Sequence, residues 1–465
     1  MNTSASPKSL NIQGDRPAMF GPDFVLGVAT SAAQIEGAAD EDGRGPSIWD
    51  RFCAEPGRII DGSNTAVACD HYHRYAEDVA LMRQIGLKAY RFSFAWPRLQ
   101  PKGRGAWNEA GFAFYDRLID ALLEAGIQPH ATLYHWDLPA ALQDDFLGWQ
   151  SRDIVPLFAD YAAEVARRFG SRLATLATLN EPWCVATLGH ETAQFAPGIQ
   201  NRRAAMQVSH HLLLAHGCAI DAMRAELQSG GKTPLGIVLN HTPAFPARPT
   251  EADRLAARLD DGLNVRWYMD PLFMGSYPAD VLAHLGADAP LVQSGDAKQI
   301  SRTIDFLGVN FYTRSLISTQ QPAPPIPGAQ GFTDMGWEVV PEALTQHLGR
   351  LTREYAPPPI YITENGMANA DVFSDGHVAD APRIDYLRSH LLALGRAIEL
   401  GADVRGYFYW SLMDNFEWNS GYAKRFGLVH VDYDSQQRTL KDSAHWYRQF
   451  IQSQVLGQSQ APGRG

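Results

Sequence analysis

Apolar positions along this chain follow two rhythms that take turns. Short runs rich in β-branched and aromatic residues, closed by Gly, Pro or polar residues, alternate with longer stretches whose apolar residues recur every three or four positions. The short runs predict strands over 24–30, 87–94, 127–134, 173–179, 235–240, 304–310, 360–363 and 404–410. Between them, Tyr75, Val79, Met82 and Ile85 form a helical stripe ended by Gly86, and Phe112, Tyr115, Leu118, Ile119 and Leu122 form another ended by Gly126. Further helices are predicted over about 154–169, 204–225, 250–268, 342–355, 384–400 and 443–451.

Eight strand–helix alternations without a linker imply parallel βαβ units and a single (β/α)8 TIM barrel of the α/β class, with long βα loops forming a mouth. A doubly wound sheet has less support, because no G-x-G-x-x-G follows the first strand and no Walker A lysine occurs. The expected domain spans 19–453, between a disordered N-terminal tail over 1–18 and a flexible C-terminal tail over 454–465. The Pro- and Gly-rich segment 320–331 reads as a loop at the mouth. In a barrel, functional side chains belong at the C-terminal ends of the strands. Gln34, Arg91, His135, Asn180, Glu181, Asn310, Tyr312, Glu364 and Trp410 all fall there.

Composition narrows the partners. The formal charge is −11 with no basic run, so neither a nucleic-acid backbone nor an anionic membrane has an electrostatic anchor. No stretch of about 18 apolar residues occurs. The first 17 residues lack the apolar core of a secretory signal. Cys53, Cys69, Cys184 and Cys218 have neither C-x-x-C nor metal-ligand spacing and read as free thiols in a reducing compartment, so a cytoplasmic protein is expected. Among 11 tryptophans, Trp49, Trp96, Trp136, Trp183, Trp410 and Trp418 stand beside polar residues near predicted strand ends. An indole there offers a flat face and one N–H to a ligand with C–H faces and hydroxyl edges, although core packing is the commoner fate of any one of them.

Candidate chemistry centres on two glutamates. Tyr361-Ile362-Thr363-Glu364-Asn365-Gly366 and Thr178-Leu179-Asn180-Glu181-Pro182 each run an apolar strand into one acid beside a strand breaker. Two carboxylates facing one pocket suit glycoside hydrolysis, in which one protonates the leaving oxygen and the other attacks the anomeric carbon or activates water. Arg91 and Tyr312 stand where they would favour an ionised Glu364, while Glu181, beside Trp183 and with few charges nearby, should hold its proton.

Competing chemistries fail on spacing. His190-Glu191 opens like a zinc-protease helix, but position 194 is Gln. His71 and His73 lack a third ligand, and His210, His211 and His216 lack i, i+4 spacing, so all five read as structural. No G-x-S-x-G serine elbow occurs. No metal and no cofactor is expected.

The chain resembles a family 1 glycoside hydrolase of the β-glucosidase type from about Phe20 to Phe450. The resemblance is carried by Thr30-Ser31-Ala32-Ala33-Gln34-Ile35-Glu36-Gly37, Tyr134-His135-Trp136-Asp137-Leu138-Pro139, the two glutamate motifs and Asn415-Phe416-Glu417-Trp418. It implies Glu364 as nucleophile and Glu181 as acid/base, with net retention. It implies that Gln34, His135, Asn180, Glu417 and Trp418 hydrogen-bond the non-reducing sugar, that Trp410 is its stacking floor, and that Trp183, Asn240 and Trp337 line the aglycone side. The expected substrates are β-D-glucosides such as cellobiose or aryl glucosides, with galactosides and fucosides as further candidates. Leu26, Ala33 and His190 depart from the family, which usually has aromatic residues there. A phosphorylated sugar is disfavoured by Glu417, and Glu181 excludes the thioglucosidase pattern. A transglycosylase shares both glutamates and stays an alternative, as does a non-catalytic sugar-binding relative. A small carbohydrate is the expected partner, and a homo-oligomer is compatible with the sequence.

Overall fold

Eight parallel strands close into a ring in chain order: β1 (Val25–Ala29), β2 (Ala89–Ser93), β3 (Gln128–Tyr134), β4 (Thr175–Asn180), β5 (Leu235–Asn240), β6 (Phe306–Asn310), β7 (Ile360–Asn365) and β8 (Val404–Trp410). The last strand pairs with the first, with Ala29 opposite Trp410, so the expected barrel is present. The computed structural model describes residues 19–227, 232–320 and 331–459. The 1–18 tail and nearly all of the 320–331 loop therefore lie outside the described residues.

The helices that follow the strands are α1 (His71–Ile85), α2 (Glu109–Glu124), α3 (Ile154–Phe169), α4 (Arg202–Leu227), α5 (Glu251–Asp261), α6 (Pro341–Tyr355), α7 (Ala381–Glu399) and α8 (Asp442–Ser459). The expected stripes are the buried faces. In α3, Ile154, Val155, Phe158, Tyr161, Ala162, Val165, Ala166 and Phe169 are buried at the spacing one face requires. Each large apolar side chain withdrawn from water in this way contributes about 1.5–3 kcal/mol. Gly86 ends α1 with φ +84, its N–H bonded back to Met82 and Arg83 carbonyls.

Three expectations need correction. The helical segment over 250–268 is interrupted: α5 gives way at Gly262–Arg266 to a wider turn and resumes at Trp267–Phe273. A Cβ at Gly262 would come within 2.5 Å of Val281 and 2.7 Å of the Arg266 guanidinium, which occupy the space beside it. The last helix does not stop at 451 but runs to Ser459, so the region 454–459 is helical rather than tail; 460–465 lies outside the described residues. Asn365-Gly366 does not break β7 after Glu364, because the strand continues through Asn365. Gly366 serves close approach instead: a Cβ there would stand 1.9 Å from the Trp410 carbonyl oxygen.

Inside the ring, alternate residues point inward and fill it in layers. His130, Phe306, Tyr361 and Phe408 occupy the lower interior, and Arg91, Thr132 and Thr363 stand above them. A second cluster under the mouth packs Ala29, Ala89, Phe408, Trp410 and Phe426. The barrel is thus a packed pedestal, and its polar upper layer is the floor of the site.

Candidate active site

Both glutamates reach that floor because their strands carry one extra residue. In β4 the pairing passes from Ala177–Gly236 to Asn180–Val238, three residues against two. In β7 it passes from Val309–Ile362 to Asn310–Glu364, two against one. An inserted residue reverses the in–out alternation beyond it. Thr363 therefore lines the barrel interior and the very next residue, Glu364, lines the cavity above it. Leu179 packs into the main core, while Asn180 turns inward onto Arg91. Glu181 then adopts φ +48, in the left-handed region, which brings its side chain into the cavity too. Trp136 (φ +80) and Trp418 (φ +50) share that region at the same mouth, a conformation that costs on the order of 1–3 kcal/mol for a non-glycine residue and clusters at functional sites.

The two carboxylates sit in unlike surroundings. Arg91 Nη1 donates to Glu364 Oε1 at 2.5 Å, and Tyr312 Oη donates to Glu364 Oε2 at 2.7 Å. Burial raises the Tyr312 phenol well above its ordinary range, with the Glu364 charge adding to it, so it stays a donor. Glu181 has no ion pair among the described residues. Asn310 Nδ2 donates to its Oε1 at 2.6 Å and the Cys184 thiol donates to its Oε2 at 3.1 Å. Burial, and then the negative charge of Glu364, push Glu181 up to about 7. The expectation that Glu364 is held simply in its ionised form is incomplete. Burial raises its carboxyl above the ordinary value, and the Arg91 charge, with hydrogen bonds from Arg91 and Tyr312, opposes that rise.

A hydrogen-bonded floor connects the pair. Asn180 Oδ1 accepts from Arg91 Nη2 at 2.7 Å and from Asn310 Nδ2 at 3.1 Å. Thr363 Oγ1 donates to Asn310 Oδ1 at 2.7 Å, which fixes the Asn310 amide with its NH2 towards Glu181. Asn180 Nδ2 donates to His135 Nε2 at 3.1 Å. Burial holds the His135 imidazole neutral, its ordinary titration pushed far down.

Above the floor lies a cavity of about 460 Å3, in the size range of small-molecule sites. Its lining includes His135, Trp183, Asn240, Thr242, Arg314, Trp337, Trp410, Glu417 and Trp418. Ring planes of His135 and Trp410 lie 21° apart at 5.9 Å, and Trp136 packs on Trp418 at 4.4 Å. In that lining, His135 Nδ1 and Glu417 Oε2 are buried polar atoms with no hydrogen bond among the described residues. Burial, followed by the charges of Glu364 and Glu181, raises Glu417 to about 8. The Glu417 turn is tied to a loop early in the chain: Ile60 N donates to Asn419 O at 2.9 Å, and Tyr422 N donates to Asp61 Oδ2 at 2.7 Å.

The remaining candidates fall in different places. Gln34 is fully buried and does not line the cavity; its Nε2 donates to Asn415 Oδ1 and Phe416 O, and its Oε1 accepts from Ser31. Only one lone pair of Oε1 is left for a hydroxyl, so its evident work is to hold the segment leading to Glu417. Trp49 and Trp96 are core residues, fully buried, whereas Trp136, Trp183, Trp410 and Trp418 line the cavity. His190 turns inward, its Nδ1 on the Val185 carbonyl at 2.8 Å, and burial lowers it to about 4. His71 pairs with Asp78 at 2.7 Å, His210 with Asp296 at 3.0 Å and His216 with Thr178 at 2.7 Å, as structural histidines do. Leu26 and Ala33 are ordinary core positions. Sequence reasoning did not single out Cys184 or the carboxyl of Asp137, which is buried and raised to about 8 by burial first and by Glu36 next. Cys184 has no local signature; the turn that follows Glu181 brings it against that carboxylate.

Known proteins place this geometry. The sequence model of Glycosyl hydrolase family 1 matches residues 16–455. A β-glucosidase from Agrobacterium sp. is 45% identical over 440 residues, covering 92% of this chain and 95% of its own. A bifunctional β-D-glucosidase/β-D-fucosidase from Bifidobacterium breve is 44% identical, covering 93% and 98%. The structure of a β-glucosidase from Thermotoga maritima in complex with glucoimidazole superposes with a TM-score of 0.90 at 43% identity, covering 94% of this chain and 99% of that one. Eight-stranded barrel, paired glutamates at the ends of β4 and β7 and near full-length similarity agree: the chain belongs to glycosyl hydrolase family 1.

Proposed function

We propose that this protein is a retaining β-glycosidase that releases terminal non-reducing β-D-glucosyl residues by double displacement through a covalent glycosyl-enzyme. The observation that carries this reading is the asymmetry of the two carboxylates: Glu364 faces a guanidinium and a phenol, Glu181 faces neither. Glu364 attacks the anomeric carbon, and the proton of Glu181 passes to the departing glycosidic oxygen. An ester then joins Glu364 to the sugar. Its formation removes the charge that favoured a proton on Glu181, so Glu181, having given its proton to the aglycone, stays ionised until it takes one from the incoming water. That water attacks the same face from which the aglycone left. The ester breaks, Glu364 is restored and the configuration is retained.

We read a division of labour in the cavity lining. Glu417, Trp418 and His135 offer polar atoms to sugar hydroxyls over the Trp410 face, and Asn180 lies beside the carboxylates, suited to the 2-hydroxyl. Gln34 acts chiefly by bracing Asn415 and Phe416. Trp183, Asn240 and Trp337 receive the aglycone. In this reading Glu417 accepts from both the 4- and 6-hydroxyls, so galactosides and fucosides belong among the substrates; the glucosidase/fucosidase relative supports that breadth. A cavity of about 460 Å3 suits small glycosides such as cellobiose. Hydrolysis of aryl β-glucosides, β-galactosides and β-fucosides followed by NMR tests all of this at once. The β-anomer of the free sugar should appear first; an α-anomer first, or inertness towards the whole set, refutes the reading.

A further inference from the structure

Glu181 and Cys184 are joined twice. The Cys184 N–H donates to the Glu181 carbonyl oxygen at 3.0 Å, closing a turn that follows the left-handed φ of Glu181. The same turn sets the two side chains face to face, with Cys184 Sγ 3.1 Å from Glu181 Oε2. Cys184 is buried, lines the cavity and opens the wide helical turn Cys184–Glu191. Glu181 is therefore bracketed, with the Asn310 amide on Oε1 and the thiol on Oε2.

We infer that Cys184 is a positioning residue for the acid/base carboxylate, its S–H fixing the carboxylate plane and favouring the ionised form in the second half of the cycle. This rests on Glu181 being the acid/base. A thiol suits the task because it is a weak donor to a carboxylate and a weak acceptor from a carboxylic acid, so it accommodates Glu181 in both protonation states. A stronger donor would hold the carboxylate ionised and leave less of Glu181 protonated for the first half of the cycle. Burial, with the charge of Glu181 next, raises the Cys184 thiol well above its ordinary range, so it keeps its proton through the cycle. No proton passes to sulfur, and no bond to sulfur forms.

The test compares wild type with Cys184→Ala and Cys184→Ser by measuring kcat/KM for an aryl β-glucoside across pH, together with Tm. The limb on which activity falls as pH rises reports the protonated acid/base. Losing the donor in Cys184→Ala should move that limb up by about half a pH unit; the stronger hydroxyl donor in Cys184→Ser should move it down. The limb at low pH should stay in place. Opposite shifts in the two variants support the inference, even where Tm also changes. Coincident basic limbs in all three proteins, or equal displacement of both limbs in both variants, overturn it. Azide rescue of Glu181→Ala separates the two levels: absence of a β-glycosyl azide would remove the acid/base assignment itself, whatever the cysteine variants do.

Discussion

Arg91 and Glu364 form an ion pair at 2.5 Å with side chains only 3% and 5% exposed. Breaking such a pair from one side strands the other charge, a loss of about 3–5 kcal/mol where no proton relieves it. Arg91→Met should make Glu364 take up a proton at higher pH. The acidic limb of kcat/KM should move upward, and urea unfolding should show a larger stability deficit at pH 8 than at pH 5, where protonation has already relieved the stranded charge.

The roles of the glutamates are separable by rescue chemistry. Glu364→Ala should lose turnover and recover with azide, giving the inverted α-glycosyl azide. Glu181→Ala should lose about 10²–10⁴-fold in kcat on substrates whose leaving group needs a proton. It should lose far less on activated aryl glucosides, and azide should yield the β-product. NMR of the azide adducts reads both, and wild-type rates in both variants would refute the assignment.

Activity should decline as pH rises through about 7, where Glu181 of the free enzyme gives up its proton. The decline belongs to kcat/KM measured on the free enzyme. Once Glu364 is esterified, Glu181 loses the neighbouring charge and titrates lower. Nucleophilic rescue of the ester by an added alcohol, followed against pH, should therefore show its base requirement satisfied at lower pH than the decline in kcat/KM.

Glu417 and Asp137 both titrate near 8 in the folded chain, far above the ordinary carboxylate value of about 4. The folded state keeps protons that the unfolded chain releases, so the contribution of these two carboxyls to stability is greatest below about pH 4, falls as pH rises towards 8 and levels off above it. Glu417→Gln mimics the neutral form permanently. It should raise Tm by about 1–3 °C at pH 8 and not at pH 4, while raising KM for glucosides. Thermal melts at the two pH values check the first effect and initial rates the second.

Gly366→Ala should be destabilising by about 1–3 kcal/mol, because its Cβ would overlap the Trp410 carbonyl oxygen. Since Trp410 lines the cavity, glucoside KM should rise along with the loss in denaturant midpoint. A neutral effect on both would mean that β7 and β8 can part at no expense to the site.

The strand-and-helix rhythm was legible because burial acts on every residue of an element. Ile154 to Phe169 shows its buried face in letters alone, and α3 has those bounds. Arg91, Tyr312, Glu181 and Glu364 were legible because polar residues at strand ends have nothing to pack against. Trp49 and Trp96 were not distinguishable from Trp136 and Trp418, since a tryptophan beside polar residues looks alike whether it fills a core or walls a cavity. The extra residues in β4 and β7 left no trace either. A bulge changes pairing between strands distant in sequence, and periodicity within one strand does not record it.

The part of the pocket lining made by Trp410, Glu417 and Trp418 follows the joint where the ring closes, with Ala29 opposite Trp410 and Asp61 holding Tyr422. During synthesis both glutamates are already in the growing chain, and most of the barrel staves with them, before Trp410, Glu417 and Trp418 have been made. The hydrolytic machinery thus has a built-in delay: a nascent chain carries its reactive carboxylates long before it has a place for the sugar. Glycosidase activity should appear only when β8 joins β1, so turnover on ribosome-bound chains of increasing length would time the closing of the barrel.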